Sequence, residues 1–402
     1  MRWRFSTQNH FSVNLSLFRG MHRAFKYRIY PSQEQMALVD KHMGAARFIY
    51  NLALETKQMA YSGSKINLSG FDLAKQIPDL KKDCPWLKEV NSQSLQKAII
   101  NMDAAFNNFF KGQADFPKFK SKKSNKQSFC VPQNVEINDG ELFIPKFKQG
   151  IPVVLHRPIK GVIKQATISR TPTGKYFASI LVETGEEIPT NKNVKEQTTI
   201  GIDLGISSFL VDSEGNKYAN PRHLQKALSR LRFVQGRLSR FNGKRSRHRL
   251  AKLHEQVANK RHDFLHKTSS QLVNSHDSIA IEDLNVSGMI QNHAFARAIA
   301  DSGWATFVSM LEYKAEWGGK NILRIGRFDP SSKTCSGCGA INKTLKLSDR
   351  EWTCRCGAHH DRDVNAAINI KAFALEKNVC GTQTQTRSEL PTMVGVLTCE
   401  AQ

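Results

Sequence analysis

Near the carboxyl end of the sequence, four cysteines lie beside two aspartates. The cysteines form two close pairs, fifteen residues apart: Cys335, Cys338, Cys354 and Cys356. The stretch CRCGAHHDRDVNAA then runs from the second pair into Asp361 and Asp363. Thiolates bind soft or borderline metals, whereas carboxylates bind hard cations. This part of the chain therefore combines ligands for two different metal chemistries.

The cysteine spacing predicts one structural zinc. Two pairs separated by a spacer long enough for a β-hairpin supply four thiolates in a closed tetrahedral shell, which leaves no position for catalysis. The second pair has one intervening residue in place of the more usual two. His359 and His360 follow, but the four cysteines already supply all the ligands that zinc needs. The alternative interpretation is a group of reduced, metal-free thiols.

Three acidic residues stand out by position. Asp203 lies within the apolar strand-like run IGIDLG, Glu282 ends the run IAIE, and Asp363 begins the helical pattern DVNAAINI. Each alone could be an exposed acid at a strand end, and either Asp361 or Asp363 could cap the helix. Burying several carboxylates together is costly unless divalent cations neutralise them.

Such a cluster is suited to hydrolysis of a phosphodiester by two metal ions. A pair of ions about 3.5–4 Å apart would activate water and stabilise the leaving oxygen. Ligands that are all oxygen favour Mg²⁺ or Mn²⁺ over zinc. The sequence therefore predicts two catalytic Mg²⁺ or Mn²⁺ ions in addition to one structural zinc.

Composition indicates a polyanionic partner. The chain has 402 residues and a formal charge of +24, from 59 Lys and Arg against 35 Asp and Glu, and nucleic acid is the first candidate. No apolar run reaches the roughly 20 residues of a spanning helix, so no membrane partner is expected. The other cysteines are scattered and predict no disulfide framework, which favours a cytoplasmic location. They are Cys84, Cys130, Cys380 and Cys399.

The first half of the chain predicts a small antiparallel β unit with a helical insertion. Residues 1–20 are interpreted as a dispensable extension because Met21 begins a more regular pattern. The run AFKYRIYP is strand-like, and Ser32 with Gln35 forms a capping box for a helical segment that continues to about residue 112. Two later hairpins, with turns at Asn138-Asp-Gly and Pro172-Thr-Gly, complete the β unit.

The second half predicts strands interleaved with basic helices. After a strand, turn and strand over 199–217, two helices are expected with a loop NGKRSRHR between them. From Arg222 to Lys267 there are 14 Lys or Arg and two acids, which favours a surface that follows a nucleic-acid backbone. A strand SIAIEDL, a helix over Trp304–Trp317 and a strand NILRIG precede the cysteines.

These motifs resemble the TnpB (OrfB) proteins, a transposon-encoded family related to type V CRISPR effector nucleases. GIDLGISSFLV, IAIEDLNVSGM and HDRDVNAAINI resemble the family's split RuvC-like nuclease motifs, and SSKTCSGCG with REWTCRCG resembles its zinc ribbon. YRIYPSQEQ and FPKFKSKKSN are similar to its amino-terminal half, so the resemblance covers about residues 21–376.

The resemblance implies a role for each site residue. Asp203, Glu282 and Asp363 would be the catalytic acids, and the four cysteines would bind zinc. Asp363 is preferred to Asp361 because the family's Asp-x-Asn-Ala pattern falls on Asp363, Asn365 and Ala366.

The implied activity is that of an RNA-guided DNA endonuclease. A guide RNA derived from the transposon end pairs with a double-stranded DNA target, in the bacterial or archaeal cytoplasm and near the nucleoid. A transposase encoded separately by the same element is an optional further partner.

The implied fold is a multidomain α/β and β protein. An RNase H-like (RuvC) core with an inserted zinc ribbon follows an antiparallel, β-barrel-like wedge domain that contains a helical insertion. The expected boundaries are a wedge at 21–31 and 116–195, a recognition lobe at 32–115, a nuclease core at 196–328 and 359–376, a ribbon at 329–358 and a disordered tail at 377–402.

Two other functions remain open at this point. A non-cleaving RNA-guided regulator of the same lineage would be expected to lack an acid, and none is missing here. A transposase that joins DNA strands directly typically has its acids in the order Asp, Asp, Glu. Here the order is Asp203, Glu282, Asp363, separated by 79 and 81 residues, which favours the RuvC-like type.

Overall fold

A computed structural model describes residues 20–124, 127–346 and 348–380, and the chain divides into two units between Ile188 and Pro189. All but Gly20 of the predicted extension, and residues 381–402 of the predicted tail, lie outside the described residues. Residues 377–380 continue the last helix. Among the helices described, none has the length and apolar character needed to cross a membrane.

The first unit is built on an antiparallel sheet of seven strands. In chain order they are β1 (Gly20–Ile29), β2 (Gln127–Val131), β3 (Glu136–Asn138), β4 (Glu141–Phe143), β5 (Ile151–Val154), β6 (Val162–Arg170) and β7 (Tyr176–Glu187). The spatial order is β2-β6-β7-β1-β5-β4-β3, so β1 pairs with strands more than a hundred residues later, as expected. Among the described residues the two edge strands do not pair, and the barrel-like closure expected from the sequence is not formed. The three-residue strands β3 and β4 are too short to extend a ladder around a barrel.

The predicted helical insertion lies between β1 and β2. It comprises α1 (Gln33–Ser64), α2 (Gly70–Lys75), α3 (Ile77–Asp83), a 3₁₀ turn (Pro85–Glu89) and α4 (Ser92–Phe110). Ser32 and Gln35 form the predicted capping box at the start of α1. The buried faces of α1 and α4 join the sheet in one hydrophobic core.

The second unit contains a mixed sheet of five strands. In chain order they are β8 (Thr199–Leu204), β9 (Ser208–Asp212), β10 (Lys217–Ala219), β11 (Ser278–Glu282) and β12 (Asn321–Ile325). The spatial order is β10-β9-β8-β11-β12, in which β8, β9 and β10 are antiparallel and β8, β11 and β12 are parallel. An antiparallel meander continued by parallel strands is the arrangement of an RNase H-like core.

Helices and a small hairpin complete this unit. They are α5 (His223–Phe241), α6 (Lys244–Ser275), α7 (Val286–Ile290), α8 (Ala296–Ser302), α9 (Trp304–Trp317), β13 (Glu351–Thr353), β14 (His359–Asp361) and α10 (Arg362–Cys380). The predicted loop NGKRSRHR is wrong, because only Asn242 and Gly243 separate α5 from α6. Lys and Arg are good helix formers, so the basic run after Gly243 joins the helix.

The two faces of the central strands pack against different helices. Ile200 and Ile202 of β8 lie in a core with residues of α6 and α9. On the opposite face, Gly201 lies against α10 so closely that an added Cβ would stand 2.2 Å from the Ala367 carbonyl oxygen. Ala280 of β11 packs on the same side, beside Ile370 of α10. Side chains alternate along a strand, so the next residue on each strand's α10 side is Asp203 or Glu282.

Candidate metal sites

The two strand acids lie side by side. Ile281 pairs with Ile202 in the parallel register of β11 and β8, so Glu282 and Asp203 follow at the same level. Adjacent strands are about 4.8 Å apart. Both acids come at the carboxyl ends of their strands, and both point to the face that α10 covers.

The third acid is distinguished from its neighbour by the hydrogen bonds at the start of α10. Asp361 Oδ1 accepts the backbone N–H groups of Asp363 at 3.0 Å and of Val364 at 3.1 Å, which is the geometry of an N-cap. Lys217 donates to Oδ2 of the same carboxylate. Asp361 is therefore occupied in capping the helix, whereas Asp363 lies in the first turn with Arg350 Nη1 at 3.5 Å from its Oδ2.

The pKa of Asp203 shows that the three acids interact. Burial, and after it the charges of Asp363 and Glu282, together raise the pKa of Asp203 to about 8, against the opposing effect of Arg362. Burial also raises the pKa of Glu282, with Asp329 adding to the shift. In the absence of a cation, Asp203 therefore holds a proton at neutral pH.

The three carboxylates are not gathered as closely as the ligands of a single ion. In the described parts of the chain, the group of metal-ligand atoms lying within 4.8 Å of one another consists of cysteines, so the three carboxylates are more widely spaced. One ion with oxygen bonds of about 2.1 Å needs all its ligands within about 4.2 Å. Two ions about 3.5–4 Å apart extend that span to about 8 Å. The all-oxygen donor set and the raised pKa values both suit hard divalent cations.

The four cysteines converge as a zinc site requires. The Sγ atoms of Cys335 and Cys356 are 3.8 Å apart, and those of Cys338 and Cys354 are 3.6 Å apart. Tetrahedral zinc with bonds of about 2.3 Å places sulfur atoms about 3.8 Å apart. The cluster therefore fits one zinc ion, and the single residue within the second pair does not prevent convergence.

Backbone hydrogen bonds form the two knuckles that present these thiolates. Cys335 N–H donates to the Ala340 oxygen at 2.9 Å, and Cys354 N–H donates to the Ala358 oxygen at 2.8 Å. The second knuckle is the turn between β13 and β14, and β14 ends at the residue where α10 is capped. The ribbon thus leads directly into the helix that begins with Asp363.

The two histidines after the ribbon differ in position. His360 Nε2 is 3.0 Å from Cys335 Sγ, and its ring lies against Trp352, with ring centroids 4.8 Å apart. His359 is exposed and contacts Thr353 through Nδ1. His360 is therefore a hydrogen-bonding neighbour of a cysteine ligand, which the cysteine spacing alone did not indicate.

Two asparagines of α10 were not singled out by sequence reasoning beyond the family pattern. Asn365 and Asn369 are 1% and 4% exposed, and their amides bond to backbone groups next to Cys335. The signal that could have revealed them is their spacing, because residues four apart lie on one face of a helix. Polar amides on an otherwise apolar helix face need partners when they are buried.

The predicted basic surface is an exposed face of the α5–α6 helical hairpin. Leu231, Val234 and Leu253 pack between the two helices. Basic residues at the start of α6 line an open depression of about 470 Å³: Lys244, Arg245, His248, Arg249 and Lys252. Phe233 and Phe241 of α5 are 60% and 69% exposed. Cations and exposed aromatic rings on one helical hairpin suit contact with a nucleic acid.

Three sequence profiles of known families match the chain. One of the OrfB group, described as "Probable transposase", matches residues 179–293, and one described as "Cas12f1-like, TNB domain" matches 304–370. A third, described as "Helix-turn-helix domain", matches 21–65. In this chain that range is β1 followed by one continuous helix, α1, and not two helices joined by a turn.

Similar proteins align over nearly the whole chain. A "Putative RNA-guided DNA endonuclease" of Streptomyces pristinaespiralis is 37% identical over 376 residues, covering 91% of this chain and 92% of that protein. "Putative RNA-guided DNA endonuclease InsQ" of Escherichia coli (strain K12) is 29% identical over 389 residues, covering 90% and 95%. A cryo-EM structure of a Cas12f1-sgRNA-target DNA complex aligns with a TM-score of 0.52 at 14% identity, covering 85% of this chain and 83% of that one. That structural likeness concerns the fold.

Proposed function

Because the chain belongs to the TnpB (OrfB) family, as its 37% identity to a relative over 91% of its length shows, we propose that it is an RNA-guided DNA endonuclease of a transposable element. The observation that best supports cleavage is the position of Asp203, Glu282 and Asp363. They come from two adjacent strand ends and one helix start, and the pKa of Asp203 responds to both of the others.

In this proposal the three carboxylates hold two Mg²⁺ or Mn²⁺ ions. Such ions, when bound, lower the pKa of a water nucleophile and stabilise the leaving oxygen of the phosphodiester. Asp203 lies level with Glu282 and faces the first turn of α10, so it is the natural ligand to share between two ions. Its proton, held at neutral pH by burial and by neighbouring charge, must leave when a cation binds.

Other residues set the position of the third carboxylate. Asp361 and Lys217 fix the first turn of α10 by capping and by an ion pair, and so fix the direction in which Asp363 projects. Gly201 allows α10 to lie directly on β8. Arg350 places a positive charge at the rim of the site, beside the position that a phosphate would approach.

The zinc ribbon has a structural role in this proposal. Four thiolates close the coordination shell of one zinc ion, so the ion has no open position for a substrate. The knuckles and the β13–β14 hairpin form a rigid exit from which α10 restarts. The ribbon thus determines where the helix begins, and with it where Asp363 lies.

The partners proposed for this chain are a guide RNA from the transposon end and a double-stranded DNA target. The basic face of the α5–α6 hairpin supplies the positive charge that a phosphate backbone requires. The sheet and helical insertion of the first unit are proposed as the wedge and recognition lobes. A transposase from the same element is the proposed further partner in transposition.

The decisive experiment is to purify the full chain from cells that carry its native flanking DNA and to sequence the RNA that accompanies it. We expect one specific RNA ending at the element boundary, and Mg²⁺-dependent cutting of duplex DNA that matches its terminal segment. Changing that segment should redirect the cut. Glu282→Gln should retain the RNA and the bound DNA while losing cleavage. Random RNA fragments, or cutting that ignores the RNA sequence, would refute guidance.

A further inference from the structure

Two buried amides connect α10 to the zinc ribbon. Asn365 and Asn369 lie one helical turn apart on a single face of α10 and are 1% and 4% exposed. The opposite side of the helix, at Ala367 and Ile370, packs on the sheet. A buried amide without hydrogen bonds is costly, so the bonds that these two side chains make are a specific feature of the fold.

The amide of Asn365 spans the peptide groups on both sides of Cys335. Its Nδ2 donates to the Thr334 oxygen at 2.7 Å, and its Oδ1 accepts the Ser336 N–H at 3.0 Å. Asn369 Nδ2 donates to the same Thr334 oxygen at 2.6 Å and to the Ser331 oxygen at 2.7 Å. The backbone that presents the first cysteine is thus fastened directly to the helix.

The helix therefore has two independent attachments to the ribbon. The covalent path from Cys356 through β14 fixes where α10 begins, and the two amides fix its body against the first knuckle. Asp363 lies between these attachments, two residues before Asn365. A displacement of Cys335 must then move the first helical turn, and a displacement of the first turn must move Cys335.

We propose that Asn365 and Asn369 are positioning residues that couple zinc binding at Cys335 to divalent-cation binding at Asp363. The inference rests on the proposed function in one respect, because it takes Asp363 to be a ligand for a divalent cation. Coupling between two binding sites is reciprocal, so bound zinc should raise the affinity of the carboxylates for Mn²⁺, and bound Mn²⁺ should slow the loss of zinc.

The first test is zinc affinity, measured on the full chain by competition with a chromophoric chelator. Asn365→Leu keeps the branching of the side chain but removes its amide, so the Ser336 N–H loses its acceptor and the Thr334 oxygen keeps only the bond from Asn369. Loss of a residue that supports a metal ligand typically costs roughly 10–100-fold in affinity, and we expect a decrease of that size. Asn365→Asp, which keeps the shape but loses the N–H donor, provides a second variant should the first not fold. The matched control is Asn378→Leu, because that amide bonds within α10, to the Ala374 oxygen at 2.7 Å.

The second test is the coupling itself. Mn²⁺ affinity is titrated by electron paramagnetic resonance in zinc-loaded and zinc-depleted protein, and the ratio of the two affinities measures the coupling. In the natural chain we expect a ratio of at least about 5, the lower end of typical allosteric coupling. In Asn365→Leu the ratio should fall towards 1, and in Asn378→Leu it should be unchanged.

The outcomes separate this inference from the proposed function. A folded Asn365→Leu variant with the zinc affinity and the Mn²⁺ ratio of the control would overturn the coupling and leave the nuclease proposal intact. Conversely, weakened zinc binding and a lost Mn²⁺ ratio in a protein whose natural form cuts no DNA would support the coupling while refuting the nuclease.

Discussion

Asp203→Asn should stabilise the chain when no Mg²⁺ or Mn²⁺ is present. The pKa of Asp203 is raised from 3.8 to about 8 in the folded protein, so folding forces the carboxyl to take up a proton that the unfolded chain would release. Asparagine has nearly the same shape and no proton to gain. The substitution therefore removes the free-energy cost of protonating Asp203 on folding. Binding of a cation would relieve the same cost.

The size of the effect follows from the pKa shift. At pH 7 the free-energy penalty on folding is set by the interval from the unfolded pKa of 3.8 up to the pH, which is a little more than three units. At 1.36 kcal/mol per unit the penalty is about 4 kcal/mol. The buried amide retains some desolvation cost, so the expected increase in the free energy of unfolding is about 2–4 kcal/mol. The pKa of Asp203 is higher in the folded than in the unfolded chain. The natural protein is therefore most stable, with respect to this group, at low pH, and it loses that stability as pH rises from about 4 to 8. The advantage of Asp203→Asn should therefore shrink to under about 2 kcal/mol at pH 5.

The assay is urea unfolding at pH 5 and pH 7 in zinc-sufficient buffer free of Mg²⁺ and Mn²⁺. Asp212→Asn is the matched control, because this 1% exposed carboxylate on the neighbouring strand accepts the N–H groups of Glu214 and Asn216 and the Asn216 side-chain amide. The asparagine oxygen can still accept the two backbone N–H groups, but its NH2 group would face the Asn216 amide that now donates to Oδ2, which should destabilise the fold by about 1–3 kcal/mol. If Asp203→Asn destabilised the chain as Asp212→Asn does, the inferred strain at Asp203 would be refuted.

Three further predictions concern the same surfaces. Binding of Mn²⁺ at pH 7 should release about one proton and tighten as pH rises towards 8, as followed by calorimetry in buffers of different ionisation enthalpy; Asp203→Asn should release none. Gly201→Ala should destabilise the second unit by about 2–4 kcal/mol and weaken Mn²⁺ binding, because the added methyl meets a peptide oxygen of α10 at 2.2 Å. Gly236→Ala, in open space within α5, should instead stabilise by up to about 1 kcal/mol, and equal effects of the two changes would contradict the close packing. Lys244→Gln combined with Arg245→Gln should reduce the slope of log affinity for nucleic acid against log salt by about 2, and an unchanged slope would exclude this face from phosphate contact.

Local patterns predicted most of the secondary structure. The capping box at Ser32, the turn at Asn138–Gly140 and the helix Trp304–Trp317 are formed as expected, because each depends on residues close together in the sequence. The loop predicted at NGKRSRHR was wrong for a local reason as well. A run of basic residues resembles a loop in polarity, yet Lys and Arg favour helix.

Contacts between residues that are far apart in the sequence were harder to predict. The sequence placed acids at strand ends and the family pattern preferred Asp363 to Asp361, but the capping role of Asp361, which supports that preference, appears only in the hydrogen bonds at the start of α10. The contacts of Asn365 and His360 with the first knuckle join residues that are 25 to 31 positions apart, and no periodic pattern encodes them. Whether the first sheet closes depends on pairing between its edge strands, which hairpin signals do not specify.

The nuclease proposal requires that Asp203, Glu282 and Asp363 together bind divalent cations where DNA would be cut. Anomalous scattering from crystals of the full chain grown with Mn²⁺ tests it most directly. We expect two Mn²⁺ peaks about 3.5–4 Å apart, each bound by these carboxylates, in addition to a zinc peak among the four cysteines. Mn²⁺ bound elsewhere, with the three carboxylates making no metal contact, would contradict it.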